Sequence, residues 1–153
     1  KWQYISWAKS VDGVGDAKCL PLWNGAGTVK VIIVDSEKQL AGSELINKVQ
    51  SYIDEQCPIG ADVTVTTATA VSINVTFSAD VDESTIESIK SNIRSYLRDV
   101  SFANGYVSYA KIGQTILNTD GVDDYSNLKI NSKTENIAIS ETEIAVLGGV
   151  TVG

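Results

Sequence analysis

Strict alternation marks the plainest strand of the chain. Ile73, Val75 and Phe77 point one way and Ser72, Asn74 and Thr76 the other, the period of two expected of a half-buried strand over residues 71–79. A second stretch reads differently: Val29-Lys30-Val31-Ile32-Ile33-Val34 is almost unbroken in β-branched residues, which suits a strand covered on one face and partly on both. It is entered through Asn24-Gly25-Ala26-Gly27 and left through Asp35-Ser36-Glu37-Lys38, so strands are predicted at 16–22 and 28–35 with a turn between them. Pro58-Ile59-Gly60 launches Val63-Thr64-Val65, a strand at 62–66, and further strands are predicted at 123–131, 135–139 and 143–152.

Helical spacing governs the segments between. Leu45, Ile46, Val49, Tyr52 and Ile53 form one face of a helix at 43–56 with Ser43 as its N-cap. Ile86, Ile89, Ile93 and Leu97 do the same at 83–98, where Ser84-Thr85-Ile86-Glu87 has capping-box spacing. A turn at Asn104-Gly105 leads through Tyr106-Val107-Ser108 to a third helix at 108–118 carrying Ile112, Ile116 and Leu117, and a short helix opens the chain.

An internal repeat ties these pieces together. Asp12-Gly13-Val14 recurs as Asp120-Gly121-Val122, with Asp16 matching Asp124, Leu20 matching Leu128 and Leu22 matching Ile130; upstream, Tyr4 and Ala8 match Ile112 and Ile116. Each copy reads helix, Asp-Gly turn, strand, with glycine supplying the left-handed conformation that stops the helix. The fold class predicted is α+β: two small ferredoxin-like α/β sandwiches, residues 1–68 and 69–153, their boundary near Thr67 to Val71 without a flexible linker. Mainly antiparallel sheets with helices on one face are expected. Pairing through Asn24-Gly25 and Asn131-Ser132 is antiparallel because short connections exclude parallel neighbours.

Composition narrows the partners. The 153 residues are 43% hydrophobic and 20% charged, ordinary for a globular chain, which at this size buries roughly 70% of its unfolded surface. The net charge of −7 disfavours nucleic acid, since displacing counterions from phosphates takes clustered bases. Lys90, Arg94 and Arg98 share a helix face, but Glu87 and Asp99 accompany them, so a solvated, salt-bridged face is expected there. No apolar run approaches the ~18 residues of a membrane span, and the start lacks the plan of a signal peptide. The sequence has no methionine and opens on what reads as the middle of a helix, so it is expected to be a fragment.

Reactive chemistry finds little footing. There is no histidine to serve as a base near neutral pH, and two cysteines, Cys19 and Cys57, announce neither a disulfide framework nor a metal site; reduced thiols are expected. Asp120, Asp123 and Asp124 lack the spacing of a calcium loop, Asp54-Glu55 reads as a solvated helix end, and Asp80, Asp82 and Glu83 as a helix start favoured by the macrodipole. Asn24-Gly25-Ala26-Gly27 precedes a strand, whereas phosphate-binding glycines precede a helix. No catalytic residue, metal or cofactor is expected.

From Ser10 onward the string SVDGVGDAKCLPLWNGAGTVKVIIVDSEKQLAGSELINKVQSYIDEQCPIGADVTV closely resembles the C-terminal part of the baseplate J-like family, wedge proteins of contractile phage tails and tail-like particles, above all the version in Gram-positive prophages. The likeness continues through Val122 to Gly153, with its strand, short hairpin and terminal strand. It implies a structural subunit of the virion tail baseplate, assembled in the bacterial cytoplasm. Its partners would be other wedge and hub proteins and copies of itself in a ring around the tail hub, helping hold the sheath extended until infection; a substantial N-terminal portion would precede this region. Interface candidates are Trp2 and Trp7, whose spacing with Tyr4 prevents all three from facing one side of a helix, and Val146, Leu147 and Val150 in the Val146-Leu147-Gly148-Gly149-Val150 strand. Trp7→Ala is expected to leave the fragment folded and weaken assembly. Two other classes remain open at this point: a small-molecule-binding module of paired ferredoxin-like domains, which needs a deep polar pocket near Thr67 to Ala70, and a hydrolase, which needs an ionisable cluster in a cleft.

Overall fold

A computed structural model describes residues 2–102 and 105–153. The chain divides into two compact units, Lys1–Thr69 and Ala70–Gly153. Asn104 of the expected turn lies outside the described residues.

In the first unit, α1 (Trp2–Ser10) leads to β1 (Val14–Pro21), β2 (Thr28–Asp35), α2 (Ser43–Gln56) and β3 (Asp62–Thr67). The sheet runs β1-β2-β3. β1 and β2 pair antiparallel across the Asn24 loop, Leu20 opposite Lys30 and Pro21 opposite Val29, as the short connection requires. β2 and β3 are parallel, Val31 opposite Val65, a departure from the mainly antiparallel expectation. The reason is the fourteen-residue α2 between them, long enough to serve as a crossover. Ala17, Val31, Ile33, Val63 and Val65 meet Ala8, Val49 and Ile53 of the helices in one core. Ile32 and Val34, on the opposite face of β2, are buried as well, consistent with its unbroken β-branched run.

The second unit contains β4 (Thr69–Ser78), α3 (Glu83–Val100), β5 (Tyr106–Val107), α4 (Tyr109–Leu117), β6 (Ser126–Ile130), β7 (Ile137–Ala138) and β8 (Glu143–Val152). Its larger sheet runs β6-β4-β8, with β5 and β7 forming a separate antiparallel pair. β4 and β6 are antiparallel, Val75 opposite Ile130. β8 rises beside β4 in the same direction: Gly148 abuts Ser72 and Asn74, while the Gly153 N–H donates to the Phe77 carbonyl at 2.9 Å. Ile73, Val75 and Phe77 turn inward against Ile89, Ile93 and Leu97 of α3 and Ile112 and Ile116 of α4. Each such buried isoleucine contributes about 1.5–3 kcal/mol.

Local details depart from the expectations in instructive ways. The N-cap of α2 is Gly42, not Ser43, and no side chain caps it. At α3 the cap is Asp82, whose carboxylate accepts from the Thr85 N–H at 2.8 Å and from the Ser84 hydroxyl at 2.9 Å, so the cap lies two residues before Ser84, and Thr85, not Glu87, stands at the third helical position. Leu117 is exposed rather than facing the core. Asn131-Ser132 does form a tight turn, with Ile130 and Lys133 exchanging backbone bonds and both turn residues at positive φ. The expected strand pair beyond it is cut to that one bridge, because β6 pairs with β4 and β7 with β5.

Candidate functional site

The repeat is a structural motif and not a reactive site. In both copies the residue after the Asp-Gly pair closes a turn of the same form: the Val14 N–H donates to the Val11 carbonyl and the Val122 N–H to the Thr119 carbonyl, each at 3.2 Å. Gly13 and Gly121 take φ of 102° and 96°, a conformation an L side chain rarely adopts. The carboxylates two residues further on also act alike, Asp16 accepting from the Ala17 N–H at 2.8 Å and Asp124 from the Tyr125 N–H at 2.9 Å. Asp120, Asp123 and Asp124 therefore sit in a turn whose form is explained by the chain itself, and no group of three potential metal ligands occurs among the described residues. Cys19 is buried and Cys57 half-buried, and neither is in a disulfide.

The ionisations that the fold moves are structural too. Backbone donation from Thr85 holds the Asp82 carboxyl below its ordinary 3.8. Burial pushes the Tyr96 and Tyr125 hydroxyls up. Tyr96 accepts from the Ser108 N–H at 3.0 Å, and the Tyr125 ring stands edge-on to Phe77. Lys90 pairs with Glu87 at 3.2 Å, as a solvated helix face predicts. Two shallow hollows lie on the first unit. One, of about 430 Å³, is lined by Trp2, Ile5, Ser6, Lys9 and Ser10; the other, of about 380 Å³, by Ser10, Val11, Asp12, Lys48 and Tyr52. The first has one ionisable side chain, Lys9, and the second three, Asp12, Lys48 and Tyr52, on an open surface.

The interface candidates separate. α1 turns Trp2 outward, 82% exposed, and Trp7 onto the first core, where it meets Tyr4 edge-on with ring centroids 5.5 Å apart. Five residues of helix rotate the two indoles about 140° apart, so they cannot share a face. On β8, Leu147 and Val150 lean on the second core and Val146 is half-buried. Ala145 and Leu147 face inward, then Val150 and Val152, so the inward phase slips by one residue at Gly148-Gly149. A side chain at Gly148 would collide with Asn74, which explains the glycine there.

Three further exposed apolar residues on the first unit were not among the candidates. Leu22 is 66% exposed, Trp23 43% and Ile59 fully so. Lys30 Nζ lies 4.7 Å from the Trp23 ring centroid, a cation–π contact. The signal was present in Pro21-Leu22-Trp23, two large apolar residues entering a glycine loop, and in Ile59 between Pro58 and Gly60; strand and turn chemistry alone accounted for both stretches.

Two small α+β units, each built around a core of buried stripes, define a scaffold, and comparison with known proteins gives that scaffold its kind. The fold matches over its whole length a chain in the cryo-EM structure of the anti-feeding prophage baseplate, with a TM-score of 0.69 at 7% identity, covering 37% of that chain. The chain belongs to the baseplate J-like family: the model of the baseplate J-like central domain matches residues 1–67 and that of the C-terminal domain residues 69–153. It is 38% identical to the phage-like element PBSX protein XkdT of Bacillus subtilis over 99% of this chain and 47% of that protein. It is 23% identical to baseplate protein gp47 of Escherichia phage Mu, over 98% of this chain and 44% of that protein. It thus spans about half the length of these curated relatives. It is a baseplate-related phage or prophage protein, the coarser part of what the resemblance implied. None of these relatives supports a metabolite-binding module.

Proposed function

We propose that this chain is the assembly portion of a baseplate wedge subunit, copies of which form a ring around the tail hub and bind neighbouring wedge and hub proteins. The observation that carries this reading is the uninterrupted match of residues 1–67 and 69–153 to the two consecutive domains of one baseplate family. The physical character of the chain agrees with it. Its buried apolar side chains build two cores, several of its ionisable groups cap helices and turns, and its net charge of −7 opposes contact with phosphate backbones. The subunit acts through contacts and not through turnover, needs no cofactor, nucleic acid or membrane, and is built into the particle in the host cytoplasm. Among the described residues, no helix is long and apolar enough to cross a membrane.

Residues 1–68 and 69–153 act in this reading as two domains, each with its own core. Deleting the segment from the producing gene tests the function. Electron micrographs of the resulting lysates are expected to show tail tubes without baseplates, and normal baseplates would overturn the reading.

A further inference from the structure

The first unit carries an exposed apolar cluster that packing does not explain. Two loop tips lie side by side at one end of its sheet, 22–27 between β1 and β2 and 58–61 between α2 and β3. The Asp62 N–H donates to the Gly27 carbonyl at 2.9 Å, and Thr28 stands opposite Asp62 in register. The tips are rigid in construction. The Leu22 N–H donates to the Thr28 carbonyl at 2.7 Å, the Thr28 hydroxyl to the Gly25 carbonyl at 2.7 Å, and the Ala61 N–H to the Pro58 carbonyl at 3.2 Å. On this frame Leu22, Trp23 and Ile59 are held out into solvent. Single exposed apolar residues are commonplace; here three are carried on adjoining tips, Leu22 and Trp23 on one and Ile59 on the other.

Leu22 adds a second observation. Its φ is 57°, a left-handed conformation in which leucine is uncommon and strained and which glycine would adopt freely. Its counterpart in the internal repeat, Ile130, is fully buried in the second core, so the same position that packs one unit is turned outward in the other.

The electrostatic surroundings say what fits. The last turn of α2, just before Ile59, carries Asp54 and Glu55 and no base, although a helix C-terminus favours cations; Asp62 follows on the other side. Lys30 is engaged with the Trp23 ring on the other tip, so it is the charge beside Ile59 that is acidic, and a flank of this kind opposes an anionic lipid surface and invites basic groups.

We propose that Leu22, Trp23 and Ile59 form an apolar plug, and that it seats in a socket on a neighbouring baseplate protein that is apolar at its centre and edged with lysine or arginine on the side facing Asp54, Glu55 and Asp62. This rests on the baseplate reading above and names the surface through which the first unit makes one of its contacts.

The test uses the full-length protein in particle-producing cells. Leu22→Ser with Ile59→Ser is expected to lower incorporation into particles about tenfold or more, as for loss of a central hot spot, while the purified protein keeps its melting temperature. Leu22→Gly relieves the strained backbone, so it is expected to melt no lower than the parent and still to incorporate poorly. A photocrosslinking residue at position 59 is expected to capture a partner polypeptide at a segment holding both apolar and basic residues. Undiminished incorporation of the double variant, capture at an acidic segment, or binding of the protein to phosphatidylserine vesicles through this patch would each overturn the plug. If the double variant incorporates normally while deletion of the whole segment abolishes baseplates, the plug alone fails. If the deletion also leaves baseplates intact, the baseplate reading fails with it.

Discussion

The two units place one helix–turn–strand motif on sheets wired in different chain order. In the first, the central strand β2 lies antiparallel to the motif strand β1 and parallel to β3; in the second, β4 lies antiparallel to the motif strand β6 and runs the same way as β8. The central strand follows the motif in one unit and precedes it in the other. What is held constant is the turn, with its glycine, its 3.2 Å closing bond and its aspartate on the next N–H. What varies is the filling. The second unit buries Ile116 where the first buries Ala8, ties Thr119 to Asn92 at 2.9 Å where the first has Val11, and caps its long helix with Asp82 where α2 has only Gly42. The lesson is that the motif sets local geometry, while side-chain size and capping set how firmly each unit is held.

Removing the largest of these fillings breaks the comparison most severely. Ile116→Ala is expected to destabilise the second unit by about 2–5 kcal/mol, the range for emptying a fully buried aliphatic site. The reciprocal change, Ala8→Ile, is expected to cost about 1–3 kcal/mol through overpacking in the first. Urea unfolding of each variant measures both; a neutral Ala8→Ile would mean that the first core has room the structure does not show.

Next come the turn glycines. Alanine at either position is strained by about 1–2 kcal/mol because φ is positive. Gly121→Ala is expected to be the worse of the two. Its Cβ would lie 2.9 Å from Thr85 Oγ1, on a stiff β-branched side chain, whereas at Gly13 it would meet Leu45 Cδ1 at 3.2 Å, the mobile end of a longer one. Equal losses on chemical denaturation would show that strain alone decides.

The helix starts give a smaller and pH-dependent effect. The Asp82 carboxyl is held below its unfolded value by the Thr85 N–H, so its contribution is present above that value and is lost as pH falls through the depressed folded one. Asp82→Ala is expected to lower the melting temperature at neutral pH, and the gap to the parent is expected to close as pH drops well below 3.8. A gap that stays constant into acid would assign the effect to helix propensity. Smallest of all, Gly42→Asp gives α2 the cap that α3 already has. The site has open space and extended backbone, so a gain of a few tenths of a kcal/mol is expected in thermal melts.

Much of the fold was legible because strong periodicity and burial coincide. The β4 alternation and the Ile86, Ile89, Ile93 and Leu97 stripe lie where the pattern places them, and β2 spans the predicted 28–35. The repeat was legible because a positive-φ turn leaves a glycine behind. Pairing partners were harder to read. A turn such as Asn131-Ser132 says that the chain reverses but not whether the strand beyond it stays, and β7 leaves to join β5. Capping was misplaced for a similar reason, since Asp82 and Ser84 both fit a helix start and only the backbone position of Thr85 N–H chooses between them. Leu22 illustrates the limit most sharply: matched to Ile130 it reads as a strand residue, yet it leaves the sheet at φ 57°. Contact surfaces left the weakest trace, because an exposed apolar residue and a buried one are the same letter until the fold is known.

The most direct measurement is a cryo-EM map of the intact tail particle at a resolution that traces side chains. The account predicts this chain in the baseplate around the hub, in repeated copies, with Leu22, Trp23 and Ile59 covered by a neighbouring protein. Finding it outside the baseplate would contradict the account.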